Sequence, residues 1–504
     1  MPAPEVSDYD LAIAGGGING TGIARDAAGR GLKVLLVEKD DLASHTSSGS
    51  TKLIHGGLRY LEYYEFRLVS EALAEREILL RAAPHIIAPL QFVLPHEPHL
   101  RPAWMIRAGL FLYDHLGGRK TLPSSIGVHL GRSKWGAGLK AKFDKGFVYS
   151  DAKVDDARLV VVNALAAREQ GAEIRTRTRL VGARRDRGLW RVTLGRSAGA
   201  TEEVRARALV NAAGPWVKQV LDEVSAAPAK AAVRHVKGSH IVVPRVHPED
   251  HAYILQNSDN RIVFVIPYES DFSLIGTTDI PVDDFEAPVI SRGEIDYLCE
   301  IANAYLARPI GAGEVVWTYS GVRPLYDDGT ADPSAVTRDY VLKLDTGEGS
   351  QAPLLSVFGG KITTYRRLAE SALSELKPFF PQMKGDWTRA EPLPGGDMPR
   401  GGLVAFERDL AGRYPALPVA LRAALVRRHG TRTPRILGEA KMAGDLGTFF
   451  GHTLYAAEID YLVAHEWARS ADDVLWRRTK CGLHLTVGQR NAVAAYLREQ
   501  YGHE

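Results

Sequence analysis

The stretch "YDLAIAGGGINGTGIARDAAGRGLKVLLVEK", residues 9–39, decides the fold class. An apolar run, YDLAIAG, enters a glycine-rich turn, passes into the small-residue segment NGTGIARDAAGRG, and ends in a second apolar run, KVLLVEK. Short runs that are apolar throughout suit buried parallel strands, and the small residues between them suit a helix packed closely on the sheet. Gly15, Gly17 and Gly20 satisfy G-x-G-x-x-G at the turn, and Glu38 ends the second strand, where a ribose-binding acid belongs. The three glycines serve, in order, the tight turn, close backbone approach to a pyrophosphate, and helix-to-strand packing. The phosphate charge meets the free N–H groups and positive dipole end of the helix. The expectation is a dinucleotide-binding βαβ unit.

Two later stretches repeat the sequence of strand, glycine turn and helix: "RALVNAAGPWV" (207–217) and "PLLSVFGGKITTYRRLAESAL" (353–373). Only one complete fingerprint is present, whereas a chain holding both a nicotinamide and a flavin would usually show two. The turns at Gly214 and Gly359–Gly360 can instead give backbone contacts to one long, permanently held cofactor. FAD is therefore expected, along Gly15, Gly17, Ile18, Asn19, Gly20, Glu38, Lys39, Ala212, Gly214, Trp216, Gly359, Gly360, Lys361, Ile362 and Thr363.

The segment "TSSGSTKLIHGGLRYLE" (46–62) has neither a helical nor a strand pattern of apolar residues and reads as a polar loop feeding a helix. It follows the second strand closely, so Thr46, Ser47, Ser48, Ser50, Lys52, Leu53 and Ile54 are expected near the cofactor. Gly56 and Gly57 bring bare backbone against a flat ring where a Cβ would collide. Arg59 and Tyr60 then point to a polar substrate, because the planar fork of arginine suits a phosphate dianion. The blander readings are a solvated hydroxyl-rich loop and, for Arg59, an ion pair with Glu62 or Glu65.

The nucleotide sections are separated by 76–150 and 231–345, where runs such as SHIVVP, RIVFVIP and FSLIGTTD alternate with turn residues. The expected fold is α/β and α+β. A Rossmann-like FAD-binding domain is assembled from 1–75, 151–230 and 346–390, with an inserted, mainly antiparallel β substrate domain (76–150 and 231–345). After the Pro/Gly punctuation "EPLPGGDMPRGG", residues 391–504 form a C-terminal helical domain.

The balance of 63 basic and 60 acidic residues, +3 at pH 7, argues against a general nucleic-acid binder. Cys299 and Cys481 form no disulfide framework and fit a reducing compartment. No secretory leader is legible, and no window approaches the ~18 apolar residues of a spanning helix, so a cytoplasmic location is expected. "PHEPH" (His96, His99) lacks further ligands at metal spacing and reads as a loop, so no metal is expected.

The motifs "GGGINGTGIARDAAGRGLKVLLVEK", "TSSGSTKLIHGGLRYLE", "VKGSHIVVP", "TYSGVRPL", "VFGGKITTYR" and the tail "HEWARSADDVLWRRTKCGLHL" resemble the FAD-dependent, respiratory glycerol-3-phosphate dehydrogenase family. Gly49 and Thr51 depart from the familiar alanine and serine without touching a charged position. The resemblance implies oxidation of sn-glycerol 3-phosphate to dihydroxyacetone phosphate through FAD to a membrane quinone. It also implies peripheral attachment to the inner face of the cell membrane and a homodimer.

Moving a hydride from a secondary carbinol requires cations for the phosphate, a proton acceptor, and stabilisation of negative charge. Arg59 and Arg323 are expected to hold substrate oxygens, Lys361 to bind phosphate or stabilise the flavin, and Thr363 to add a hydroxyl contact. His240 and His55 are the candidate proton acceptors, with His240 preferred. An oxygen-using oxidase and an amine or amino-acid oxidase on the same scaffold are the alternatives. Residues 101–120 read either as a core helix or as an interfacial one touching lipid or quinone.

Overall fold

The computed structural model describes residues 7–503 apart from 98–100, 119–120, 197–198, 225–231, 258–260, 328–338 and 348–350. The opening run forms strand β1 (Tyr9–Ala14), helix α1 (Ile18–Gly29) and strand β2 (Val34–Val37). Apart from Asp10 near the start of β1, these strands are apolar because both faces of their sheet are covered. Small residues bring α1 close in: a Cβ on Gly20 would lie 1.9 Å from the Gly15 carbonyl oxygen, and one on Gly22 would lie 2.7 Å from the Tyr365 ring.

The first sheet has eight strands. Its parallel centre runs β18 (Leu354–Phe358), β10 (Thr201–Asn211), β1, β2, β7 (Glu173–Arg175). β17 (Val341–Asp345) adds an antiparallel edge, and β8 (Thr178–Asp186) with β9 (Leu189–Arg196) extends from β10. The three separated strand-and-glycine sections thus meet side by side, with Ala14 opposite both Val37 and Asn211.

The second sheet has ten strands. Its order is β15 (Ile280–Pro281), β11 (Ala232–Pro244), β14 (Phe272–Gly276), β13 (Ile262–Tyr268), β12 (Ala252–Gln256), β4 (Ile87–Pro95), β6 (Lys145–Val154) and β3 (Leu53–Ile54). β16 (Trp317–Asp327) pairs with β11, and β5 (Ile126–His129) pairs with β6. Every pairing is antiparallel except β12 with β4, as a largely antiparallel domain requires. Three strands fall across the divisions expected from sequence. β6 carries residues 151–154 past the expected boundary while staying in this second sheet. Leu53–Ile54 joins this second sheet, and Val341–Asp345 joins the first.

Helix α2 (Phe66–Ala82), helix α3 (Ala103–Leu116) and helix α4 (Asp156–Glu169) complete the frame around the site. Asp155 caps α4 by accepting from the Arg158 amide at 3.1 Å. The C-terminal helices Gly402–Arg413, Val419–His429, Ala456–Glu466 and Val487–Tyr501 close around their own core of Leu410, Leu425, Leu454, Ile459, Leu462 and Leu497.

Candidate active site

The glycine turn is shaped as a cradle. Gly15 has φ of 115°, and a Cβ there would lie 2.4 Å from the Ala212 carbonyl oxygen, so no other residue fits this backbone. Gly17 caps α1, and the Ile18 amide donates to Ser47 Oγ at 3.0 Å, which fixes Ser47 at the helix N-terminus. Glu38 accepts from the Gly16 amide at 2.6 Å and from the Asp40 amide at 2.9 Å. One lone pair on each oxygen remains for a ribose hydroxyl. Burial raises the Glu38 pKa against these two amide bonds.

A cavity of about 340 Å³ follows this edge, lined by Gly15, Gly17, Glu38, Ser47, Gly214 and Trp216, with Lys39, Thr46 and Ala212 beside them. Its aromatic wall is Trp216, with the Lys39 ammonium 4.4 Å from the ring centre and the His45 ring 4.6 Å away. Asp40 pairs with both Lys39 and His45 and is held well below the usual carboxylate range, chiefly by His45. Glu38, Asp40 and His45 bring ligand-type atoms within 4.8 Å of one another, but all three are engaged in these bonds. The glycine cradle, the helix end, the acid and an aromatic slot fit the ADP half of FAD.

Sequence reasoning missed His45, Pro215, Gln219 and the β8 residues Thr178–Val181, all of which line the cavity. β8 carries no motif. It reaches the site because the Thr178 amide donates to the Glu38 carbonyl at 2.8 Å, a sheet contact that no local pattern reports.

Beyond the cavity, Asn19 ties the fingerprint helix to the third glycine turn by donating to the Gly359 carbonyl at 3.0 Å. Gly359 and Gly360 both have positive φ, and a Cβ on Gly360 would lie 2.8 Å from the Asn19 amide nitrogen. Lys361 follows, its ammonium 4.1 Å from the centre of the Tyr60 ring. The His55 amide donates to Thr363 Oγ1 at 3.3 Å, and the Gly56 amide donates to the Tyr113 hydroxyl at 2.9 Å. Gly57, at φ of 73°, leaves room for the Tyr60 ring, which a Cβ would meet at 2.4 Å. His55, Gly56, Gly57, Tyr60, Lys361 and Thr363 are therefore one cluster, while the Ile362 side chain packs against the hydrophobic core.

Arg59 stands on the same turn as Tyr60 and has no partner among the described residues. The bland reading fails in part: Glu62 pairs with Arg101 at 3.3 Å. Arg323, on β16, donates through Nη2 to Asp279 at 2.9 Å. β16 also meets the hydroxyl loop, because Thr46 Oγ1 donates to the Val322 carbonyl at 2.7 Å and Gly49 abuts Gly321.

Several expected cofactor residues point elsewhere. Lys52 is buried, its ammonium 2.8 Å from Asp156, and Ser50 Oγ donates to the same carboxylate at 2.7 Å. Leu53 and Ile54 have their side chains in the hydrophobic cores, and Ser48 Oγ turns back to the His45 carbonyl at 3.2 Å. These side chains shape the loop from behind, which leaves only their backbone for a cofactor; Gly20 is spent on packing against the turn.

The two histidines are placed differently. His240 is buried, stacked on Tyr319 at 4.7 Å, with Nε2 3.0 Å from Thr51 Oγ1 and Nδ1 unpartnered. Burial, reinforced by Lys52 and Arg323, pushes its pKa down to about 3. His55 is less enclosed, and burial lowers its pKa also. Both are neutral imidazoles at neutral pH. His96 bonds the Arg101 carbonyl at 3.0 Å, and His99 lies outside the described residues.

Residues 10–366 match the family described as FAD dependent oxidoreductase, and residues 387–504 match the C-terminal domain of alpha-glycerophosphate oxidase. The chain is 55% identical over 502 residues to a glycerol-3-phosphate dehydrogenase of Pseudomonas aeruginosa, covering 99% of this chain and 97% of that one. It is 54% identical over 494 residues to a D-erythritol 1-phosphate dehydrogenase of Brucella abortus, covering 98% of each. The solved glycerol-3-phosphate dehydrogenase of Bacillus halodurans, complexed with FAD, superposes with a TM-score of 0.76 at 26% identity, over 99% of this chain and 92% of that one. With its cradle and its full-length relatives in agreement, the protein belongs to the FAD dependent oxidoreductase family.

Proposed function

We propose that this enzyme oxidises sn-glycerol 3-phosphate to dihydroxyacetone phosphate and passes the electrons to a membrane quinone. The observation that carries the reading is the cationic set Arg59, Lys361 and Arg323, held on three separate elements of a chain whose fingerprint belongs to an FAD enzyme. FAD, when bound, accepts the hydride from C2. Arg59 and Lys361 hold the phosphate, where charge-assisted hydrogen bonds are strongest. Arg323 polarises the C2 oxygen, since an arginine is too basic to accept its proton. His55 takes that proton. What favours it over His240 is its lesser enclosure and its place in the Lys361–Thr363 cluster.

The relative acting on D-erythritol 1-phosphate is nearly as similar as the one acting on glycerol 3-phosphate, so chain length of the polyol is the second reading. Turnover of both phosphates, with reduction of a quinone analogue and peroxide measured in parallel, tests it. Preference for glycerol 3-phosphate with quinone reduction supports the proposal. Preference for erythritol phosphate shifts the substrate, and stoichiometric peroxide makes the enzyme an oxidase.

Peripheral attachment is supported by α3. No described helix is long and apolar enough to cross a membrane. Yet α3 buries only Leu110, Tyr113 and Asp114, while Trp104 is 70% and Phe111 59% exposed, beside exposed Met105 and Leu112. A core helix would not leave these in water, so that reading of 101–120 is set aside. Arg101 ties this helix to the turn that carries Arg59. Co-sedimentation with anionic phospholipid vesicles, lost in Trp104→Ser/Phe111→Ser, tests the surface. The expected homodimer is tested by solution mass.

A further inference from the structure

The turn "DVLWRRTK" (473–480) of the C-terminal domain reaches the catalytic part of the chain at several points. Arg478, fully buried, grips Asp41 with both terminal nitrogens at 2.8 Å each, and Arg477 Nε donates to the same carboxylate at 2.7 Å. Asp473 accepts from Arg177 Nη2 at 2.6 Å, and the Arg177 amide donates to the Asp40 carbonyl at 2.8 Å. Lys480 reaches Asp155 at 3.0 Å, next to the Asp156 that anchors Lys52. Trp476 stacks on Trp317, at the head of β16, at 4.7 Å.

Asp41 lies in the loop that follows Glu38. This loop and the glycine turn bind each other in both directions: the Gly16 amide donates to Glu38, and the Ala43 amide donates to the Gly16 carbonyl at 3.2 Å. Ala43 has φ of 60°, a left-handed conformation that an alanine keeps only where its surroundings hold it. Among the described residues, the cations that pair with buried Asp41 are Arg477 and Arg478, both from the C-terminal domain.

We propose that the 473–480 turn is a positioning clamp for the cofactor. Arg478, acting through Asp41 and not by touching FAD, fixes the 38–44 loop in the geometry that lets Glu38 and the glycine turn receive the adenosine half. Cofactor affinity then depends on a domain that carries no part of the fingerprint. The effect is directional: lysine keeps the charge of Arg478 and loses its fork. The inference rests on the family's FAD and is independent of the substrate assigned above.

The test is FAD affinity of the apoprotein, from quenching of flavin fluorescence, beside the unfolding temperature of the same apoprotein. Arg478→Lys is expected to weaken FAD about tenfold, the low end of the ~10–100-fold lost when an outer partner that orients a metal ligand is removed. Asp41→Asn/Arg478→Met, which leaves no buried charge unpaired, is expected to weaken it at least as much. Both should keep the apo unfolding temperature within a few degrees and, at saturating FAD, leave the KM for glycerol 3-phosphate unchanged. FAD affinity equal to the parent's in both variants overturns the proposal. So does a loss of affinity that only tracks a fall in apo stability, as an ordinary structural pair would give.

Discussion

Arg323, midway along β16, is paired with Asp279 at 2.9 Å, and both side chains are about half exposed, at 47% and 58%. An exposed pair of this kind contributes little by itself, so substrate oxygens can replace Asp279 at low cost. Asp279→Asn should therefore change the KM for glycerol 3-phosphate by no more than ~3-fold. Arg323→Ala removes the charged donor itself and should lower kcat/KM by ~10–100-fold, at ~1.5–3 kcal/mol per charge-assisted bond. Steady-state kinetics on the two variants checks the contrast.

Arg59 has no partner among the described residues, so its replacement leaves no stranded protein charge. Arg59→Ala should keep bound FAD and the parent unfolding temperature while kcat/KM falls ~10–100-fold. Lys361→Met, which retains an apolar stem against Tyr60, should behave likewise. Unchanged kinetics in both would remove them from the phosphate site.

Gly15→Ala combines a φ of 115° with a 2.4 Å approach to the Ala212 carbonyl oxygen. The turn cannot absorb this without shifting, so the purified variant should be nearly colourless. Flavin absorbance per mole of protein is the readout. By contrast, a Cβ on Gly17 meets Ser47 Oγ at 3.1 Å, which a side-chain rotation relieves. Gly17→Ala should fold normally and lose FAD affinity only through closer approach to the pyrophosphate.

Acid should destabilise the protein through its buried imidazoles. Burial holds His240 and His85 at about 3, well below an ordinary histidine. In the window between there and ~6.5 the unfolded chain binds protons that the folded chain refuses. Their stabilising effect is complete above ~6.5 and declines as the pH falls, by up to ~1.4 kcal/mol per pH unit for each histidine. Unfolding temperatures should drop between pH 6 and 4, with a shallower slope in His85→Gln. A flat profile would mean that these rings are solvated.

The βαβ opening was legible because its signals are local. The apolar runs, the three glycines and Glu38 each sit in the element they specify, and the glycine turns at Gly214 and Gly359 announced the two neighbouring strands. Arg59, Tyr60 and Lys361 were named from residue chemistry alone, and the structure brings Lys361 and Tyr60 into contact. Lys52 was not legible as a buried anchor, because its partner, Asp156, lies over a hundred residues further along the chain. Trp216 was named, but the slot it forms with Lys39 and His45 depends on how the first sheet brings loops together. Strand β8 and the Arg478 clamp are wholly tertiary: sheet pairing and domain docking place them, and no periodicity marks them.

The most direct test of the central claim is the visible absorption spectrum of the purified protein under anaerobic conditions, recorded before and after addition of glycerol 3-phosphate. The account predicts the two bands of oxidised flavin and their loss on addition of the substrate. Folded protein that is colourless and takes up no FAD contradicts the cradle. Flavin that stays oxidised in excess glycerol 3-phosphate contradicts the cationic site beside it.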